Sequence, residues 1–206
     1  MGDGGTRSDM KRVALLLFDD VEVLDACGPF EVFATSKSAD GHELFEVMTV
    51  AEHGRPVCAV GGLLLQPQFT LDECPQADVL IVPGGVGRKR EFHNERVIRW
   101  IQERALAAEL VLSVCTGAFL LAKAGLLEGL DVTTHHSAHE ELATGFPTVR
   151  VLTAARYVDQ GKVVTAAGIA AGIDASLHVV GRLCGNEVAE RTAQRMEYVW
   201  TGRRGE

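Results

Sequence analysis

This sequence of 206 residues is poor in aromatic residues, in cysteine pairs and in positive charge. Aromatic side chains make up only 6% of it, so a core built from its 47% of hydrophobic residues must be mainly aliphatic. The formal net charge of −8 argues against a nucleic-acid partner and is typical of a cytoplasmic protein. No apolar run is long enough to span a bilayer, so we expect no membrane partner.

The cysteine and histidine patterns exclude several common sites. The five cysteines are widely scattered and form no CxxC pair, which argues against a disulfide framework and against structural zinc. His135 and His139 would share one face of a helix, but HExxH is absent because residue 143 is Ala. We therefore expect no bound metal.

Short apolar runs that alternate with amphipathic segments predict an α/β fold, a flavodoxin-like three-layer α/β/α sandwich with a mostly parallel sheet. The expected strands are 13–18, 45–50, 78–82, 110–114, 131–134, 149–152, 155–158 and 163–166, with a hairpin at 57–65. The expected helices begin near residues 29, 91, 116, 168 and 187, and the last of them runs to about residue 200.

The chain ends differ in composition from the rest. Residues 1–11 are Gly-rich and polar, without the apolar region of a signal peptide, and we expect a disordered tail there. A single domain is expected over 12–200, followed by a tail at 201–206.

Cys115 is the first candidate for a reactive residue. It follows an apolar strand and precedes a helix, which places it at the carboxyl edge of the sheet, where such folds bind ligands. Helix N-terminal amides stabilise a thiolate, so we expect a thiolate near neutral pH and alkylation faster than at the other cysteines. Thr116 and Gly117 are small enough for a strained turn of the nucleophile-elbow type. The alternative is a buried structural thiol.

Two other stretches have the residues of a catalytic site. Asp25 lies in apolar company and is either a catalytic carboxylate or the cap of a helix that starts near Pro29. Gly84 and Gly85 directly follow a predicted strand, where amides could approach a ligand or stabilise negative charge, or simply form a turn. A phosphate loop is excluded because no Gly-Lys-Ser/Thr follows.

Taken together, these stretches resemble the ThiJ/PfpI superfamily, the class I glutamine amidotransferase-like group. The resemblance covers residues 13–198. It is carried by LDACGP at 24–29, VPGG at 82–85, SVCTG at 113–117, TTH at 133–135 and GIAAGID at 168–174. Thr116, where the intracellular-protease branch has His, and Asp25, where many branches have Glu, make the chain similar to the isocyanide hydratase branch. That branch tends to end in a Pro-rich tail, whereas Tyr198 is followed here by Val-Trp-Thr-Gly.

The resemblance implies a homodimeric enzyme that hydrates an isocyanide to an N-substituted formamide without a cofactor. Cys115 would be the nucleophile that forms a thioimidate, Asp25 would carry a proton because the nearby thiolate disfavours its ionised form, and Thr116 would add a hydroxyl. The implied substrate-binding residues are Gly84, Gly85, Val86, His135, Gly168 and Ile169.

Two alternative functions remain open. An amidase, peptidase or glyoxalase-like member would use Cys115 with His135. A redox or stress sensor would oxidise Cys115 to a sulfinate beside a protonated Asp25. The TTH stretch is also similar to the sensing domains of AraC-type regulators, but those carry a DNA-binding helix pair after the domain, and we expect none after Trp200.

Overall fold

The computed structural model describes residues 10–200, so most of both expected tails lies outside the described residues. The first strand begins at Lys11, one residue inside the expected N-terminal tail. The strands are β1 Lys11–Leu16, β2 Phe45–Ala51, β3 Val57–Cys58, β4 Leu64–Leu65, β5 Phe69–Thr70, β6 Val79–Val82, β7 Leu110–Val114, β8 Asp131–Val132, β9 Arg150–Val151, β10 Tyr157–Gln160 and β11 Val163–Ala166. The helices are α1 Val23–Thr35, α2 Arg88–Glu91, α3 Glu95–Ala107, α4 Ala118–Lys123, α5 His139–Gly145, α6 Ala171–Cys184 and α7 Asn186–Arg195. None of these helices is both long and apolar enough to cross a bilayer.

Within residues 10–200, seven strands form one sheet in the order β10-β11-β7-β6-β1-β2-β5. All neighbours run parallel except β10, which is antiparallel to β11. Strands β2, β1, β6, β7 and β11 therefore follow the 2-1-3-4-5 order of flavodoxin-like sheets. Because the chain moves outward from β1 and β6 in opposite directions, right-handed crossovers place helices on both faces. Helices α1, α6 and α7 pack together, as do α2, α3 and α4, which confirms the predicted three-layer sandwich.

Helix α1 differs from its prediction. A short turn carrying Asp25 followed by a helix from Pro29 was expected, but one continuous helix runs from Val23 to Thr35 with Pro29 inside it. Pro29 has no amide hydrogen to donate to the carbonyl of Asp25, which normally costs a helix about 3 kcal/mol. The helix tolerates this because Pro29, Val32 and Phe33 are buried against the core. The alternative role of Asp25 as a cap of a helix at Pro29 is therefore wrong.

The ends of several other helices also differ from their predictions. The helix expected from residue 91 is two helices, α2 and α3, and the side chain of Asn94 caps the second by accepting from the amides of Arg96 and Val97. The last helix ends at Arg195 rather than near 200. Helix α6 begins at Ala171, so Gly168 and Ile169 belong to the loop before it.

Gly172 lets α6 pack closely on β7. A Cβ at this position would lie 2.7 Å from Cγ1 of Val114, which is fully buried. Because a β-branched side chain in a packed strand cannot easily move away, we expect Gly172→Ala to lower the free energy of unfolding by about 1–3 kcal/mol. Urea unfolding measures this change.

Gly145→Ala is the matched control, since within residues 10–200 nothing beyond its chain neighbours and the backbone of its own helix lies within 4 Å of the Cβ it would add at the end of α5. It should change the free energy of unfolding by less than about 0.5 kcal/mol. Equal unfolding midpoints for the two variants would contradict the close packing.

Candidate active site

Cys115 stands at a sharp junction between β7 and α4. It opens a 3₁₀ turn, Cys115–Gly117, that leads into α4, and its φ is +55°. This left-handed conformation is rare for a residue with a side chain and persists only when its surroundings hold it. Here the Cys115 amide donates to the carbonyl of Ala167 (2.9 Å), and its carbonyl accepts from Thr134 Oγ1 (2.7 Å). The predicted junction at Cys115 is present, with the strained geometry of a nucleophile elbow.

The site occupies the point where the strand order reverses. Asp25 lies in α1, which follows β1, Gly84 follows β6, and Cys115 follows β7. Ligands of doubly wound sheets bind in the crevice beyond the carboxyl ends of such strands. The sheet topology thus brings residues from three distant parts of the sequence to one place.

The Asp25 carboxyl group is removed from water, with 0% of the residue exposed. Its Oδ2 accepts a hydrogen bond from the amide of Gly84 (3.1 Å), whereas Oδ1 has no partner of standard geometry within residues 10–200. Burial raises the pKa of Asp25 to about 7, the charge of Glu22 adds to the rise, and hydrogen bonds from Gly84 and the Cys115 thiol oppose it. The direction of this shift agrees with the expected raised pKa of Asp25, but its main cause is burial rather than repulsion by a thiolate.

The Cys115 thiol is also buried, with 6% exposure. Burial first, and then the charge of Asp25, raise the pKa of Cys115 to about 12, although amide hydrogen bonds from Thr116 and Ile169 oppose this rise. The expectation of a free thiolate near neutral pH is therefore wrong. Preferential alkylation of Cys115 is no longer expected either, because Cys58 is the exposed thiol.

Since each of the two groups shifts the pKa of the other, they titrate as a pair. Near neutral pH this pair holds between one and two protons. In the one-proton state, a thiol beside a carboxylate and a thiolate beside a carboxylic acid differ only in which atom carries the proton.

Thr116 and the glycine turn meet next to this pair. The Gly85 amide donates to Thr116 Oγ1 (3.1 Å), and a Cβ on Gly84 would lie 2.6 Å from both the nitrogen and Oγ1 of Thr116. Gly85 has φ +120°, a conformation that other residues rarely adopt. Val86 lies at the surface, with 66% of the residue exposed.

The loop before α6 lies next to the Cys115 sulfur. Ile169 has φ +27° and directs its amide to Cys115. Gly168 leaves room for the ring of His135, because a Cβ there would lie 2.3 Å from His135 Cδ2. Burial lowers the pKa of His135, and His136 and His139 lower it further, so its neutral form is favoured.

One nitrogen of the His135 ring is engaged by Ser137. Its Nδ1 accepts from the Ser137 amide (3.3 Å) and contacts Ser137 Oγ (2.8 Å). His139 Nε2 contacts the carbonyl of Thr134 at 3.1 Å. The two rings therefore do not share a helix face, since His135 precedes a 3₁₀ turn and His139 begins α5.

The sequence analysis missed Glu22. Its charge acts on both Asp25 and His135, and its amide donates to the carbonyl of Gly84 (3.0 Å). The only sequence signal was an acidic residue just before α1, which is common at helix starts and carries no catalytic meaning by itself.

Fold and site together define a flavodoxin-like α/β protein with a buried cysteine–carboxyl pair at a nucleophile elbow. The chain belongs to the DJ-1/PfpI family, whose model matches residues 11–182. The resemblance inferred from the motifs is thereby confirmed.

Known relatives differ in their activities. The chain is 35% identical over 188 residues to an isonitrile hydratase from Pseudomonas putida, covering 91% of this chain and 78% of that protein. It is 31% identical to the HTH-type transcriptional regulator GbdR of Pseudomonas aeruginosa, covering 90% of this chain but only 50% of the regulator. A solved ThiJ/PfpI family protein from Pseudomonas syringae matches with a TM-score of 0.83 at 30% identity, covering 96% of this chain and 81% of that one. Family membership alone therefore does not decide the activity.

Asp25 should make the protein less stable as the pH rises, because its pKa is higher in the folded chain than in the unfolded chain. Its contribution to the free energy of unfolding is fully present below the unfolded value of 3.8 and is lost as the pH passes about 7. Asp25→Asn cannot ionise, so its stability relative to the wild type should increase between about pH 4 and pH 8, by up to a few kcal/mol. Urea unfolding at several pH values measures this difference.

Asp159→Asn is a control of opposite sign. Burial raises the pKa of Asp159, but hydrogen bonds from His178 and Gly161 outweigh it and hold the pKa below its usual value. This variant should therefore lose stability relative to the wild type as the pH rises. A difference between Asp25→Asn and the wild type that does not change with pH would contradict the raised pKa of Asp25.

Proposed function

We propose that this protein hydrates a small isocyanide to the N-substituted formamide. The observation that carries the proposal is the buried Cys115–Asp25 pair, which offers a nucleophile and an acid to one carbon atom. The 35% identity to a protein named isonitrile hydratase supports the choice of substrate class. The residue beside Cys115 is Thr116, which cannot act as a base at neutral pH, and this favours the hydratase over an amidase with a Cys–His pair.

The first step adds the thiol across the terminal carbon of R–N≡C. In the one-proton state the Asp25 carboxylate takes the proton from sulfur and passes it to the lone pair of that carbon, forming the C–H bond. The sulfur electron pair forms the C–S bond, and one π pair moves to nitrogen. The product is a thioimidate on Cys115, and Asp25 is again ionised.

The second step adds water and releases the thiol. Asp25 removes a proton from water as the oxygen attacks the thioimidate carbon, and the C=N π pair takes that proton on nitrogen. When the C–S bond breaks, the electron pair leaves with sulfur, and the hydroxyl proton passes through Asp25 to the sulfur. The formamide leaves, and the pair has recovered its single proton.

The surrounding groups stabilise charge during these steps. The amides of Thr116 and Ile169 act on the sulfur and favour the thiolate that forms as the proton moves to Asp25. Thr116 Oγ1 is held by the Gly85 amide, so the hydroxyl lies beside the reacting centre. Gly84 orients Asp25 through its amide.

The proposal extends to the setting of the enzyme. We place it in the cytoplasm, where thiols stay reduced, in agreement with its five free cysteines. We also propose a homodimer that acts on a small molecule without a cofactor and does not bind nucleic acid. The large exposed leucines of the β3–β4 hairpin, Leu63 and Leu64, support a protein partner at that surface.

A substitution should lower kcat/KM more, the more directly the residue takes part in the bond-forming and proton-transfer steps. Cys115→Ala and Asp25→Ala should each lower kcat/KM for an alkyl isocyanide roughly a thousandfold or more. Thr116→Val should lower kcat/KM by the equivalent of about 1–3 kcal/mol of transition-state stabilisation. His135→Asn should keep kcat/KM within roughly tenfold of the wild-type value. Formamide production is the assay, and each variant's urea midpoint controls for folding.

An amide substrate and methylglyoxal should be assayed in parallel. If no isocyanide is hydrated but an amide is cleaved in a reaction that His135→Asn abolishes, the hydratase proposal fails and the amidase alternative replaces it.

The pH profile of kcat/KM should rise through about pH 7, because the pair reaches its one-proton state as Asp25 ionises. Asp25→Glu should keep part of the activity and shift the midpoint of this rise. A profile that is flat from about pH 5 to 9, or a midpoint that Asp25→Glu leaves in place, would argue against Asp25 as the group that moves the proton.

A further inference from the structure

An ion pair between a half-exposed arginine, Arg156, and a buried aspartate, Asp174, lies behind the site and takes no part in the chemistry above. Asp174, in the first turn of α6, is 0% exposed, and its Oδ2 accepts from Arg156 Nε and from the Tyr198 hydroxyl (3.1 Å). Its Oδ1 is buried and has no partner of standard geometry within residues 10–200. Ion pairs with a solvent-exposed member contribute little to the free energy of unfolding, so stability alone does not account for this pair.

Two backbone hydrogen bonds connect this ion pair to the nucleophile. The Ala167 amide donates to the carbonyl of Arg156 (2.9 Å), and the carbonyl of Ala167 accepts from the Cys115 amide (2.9 Å). Ala167 leads through Gly168 into Ile169 and then into α6. Arg156 thus holds the same loop at two points, through its own carbonyl and through the carboxylate on the first turn of α6.

Ile169 is the residue in this loop that needs support. Its φ of +27° is disfavoured for a β-branched residue, so its conformation must be imposed by what surrounds it. Its carbonyl accepts from the Gly172 amide (3.2 Å), which ties its orientation to the start of α6. A small rotation of that helix end would therefore turn the Ile169 amide away from Cys115.

We propose that Arg156 and Asp174 are positioning residues that fix the first turn of α6 and so hold the Ile169 amide against the Cys115 sulfur. A guanidinium bonded to a carboxylate has a defined direction, which a purely apolar contact lacks. The Tyr198 hydroxyl supports the same carboxylate from the segment after α7. The effect on local order stands by itself, while the effect on turnover rests on the proposed function.

The experiment compares amide hydrogen exchange and steady-state kinetics in Arg156→Gln, Asp174→Asn and Tyr198→Phe. The Arg156 side chain is about half exposed, at 47%, so Arg156→Gln should leave the core intact. This variant keeps the proposal testable even if Asp174→Asn fails to fold. We expect exchange over residues 167–173 to accelerate roughly tenfold or more in Arg156→Gln and less in Tyr198→Phe. We also expect kcat to fall roughly tenfold or more with KM little changed, because the lost amide stabilises the sulfur as it ionises.

Arg182→Gln is the matched control. Arg182 Nη1 donates to Asp159 Oδ1 (2.9 Å) and ties the last turn of α6 to β10, the strand that Arg156 precedes. This variant should leave both the exchange of 167–173 and kcat unchanged.

The proposal is overturned if Arg156→Gln exchanges like the wild type, if its exchange rises equally along the whole of α6, or if exchange rises locally without loss of kcat. If exchange rises over 167–173 but the wild type hydrates no isocyanide, the positioning role stands and the proposed function fails.

Discussion

The chemistry of the site depends on one constraint, the burial of a carboxyl group and a thiol in the same place. In water, at neutral pH, Asp25 would be ionised and Cys115 would be mainly protonated, with little effect on each other. Burial raises the pKa of both groups, to about 7 and about 12, so the pair retains a proton where a free carboxyl would lose it. When Asp25 loses that extra proton near neutral pH, the one proton left on the pair can move between sulfur and oxygen, and it lets the pair act as acid, base and nucleophile.

The fold supplies this constraint at some cost. Cys115 is held in a left-handed conformation, and neither Gly84 nor Gly85 has room for a Cβ, because Thr116 lies against the first and the backbone of residues 20–22 lies against the second. Within residues 10–200, Oδ1 of the buried Asp25 carboxyl group has no hydrogen-bond partner of standard geometry, an arrangement that destabilises a fold. The sheet can carry these local strains because the strands beneath the site are almost completely buried and well paired.

Local sequence patterns predicted individual strands and the turn that follows one of them. The strand at 110–114 and the sharp junction at Cys115 followed from apolar runs and small residues. The pKa of Cys115 did not follow from these patterns, because a lowered pKa would require a helix N-terminus at the sulfur. Helix α4 begins only at Ala118 and has six residues. Its dipole therefore lowers the pKa of Cys115 by less than burial raises it. The pair is buried because α1, the turn after β6 and the elbow come together in the fold. No local sequence pattern predicts how close these three elements lie to one another.

Helix α1 shows the same limit from another side. Pro29 predicted a helix start, since proline breaks helix interiors, but tertiary packing of Val32 and Phe33 overrode that local preference. Asp25 was placed in the site by its resemblance to a family motif, which carried information about packing that spacing alone lacks. Glu22, which lies outside that motif, was missed.

The most direct test of the central claim is the mass of wild-type protein quenched with acid during turnover of an alkyl isocyanide. Addition of the thiol to the isocyanide has no leaving group, so the account predicts an adduct that carries the full mass of the substrate. Peptide mapping should place it on Cys115, and the Cys115→Ala variant should show none. Formamide produced by the Cys115→Ala variant at the wild-type rate, or an adduct that maps to another residue, would contradict the account.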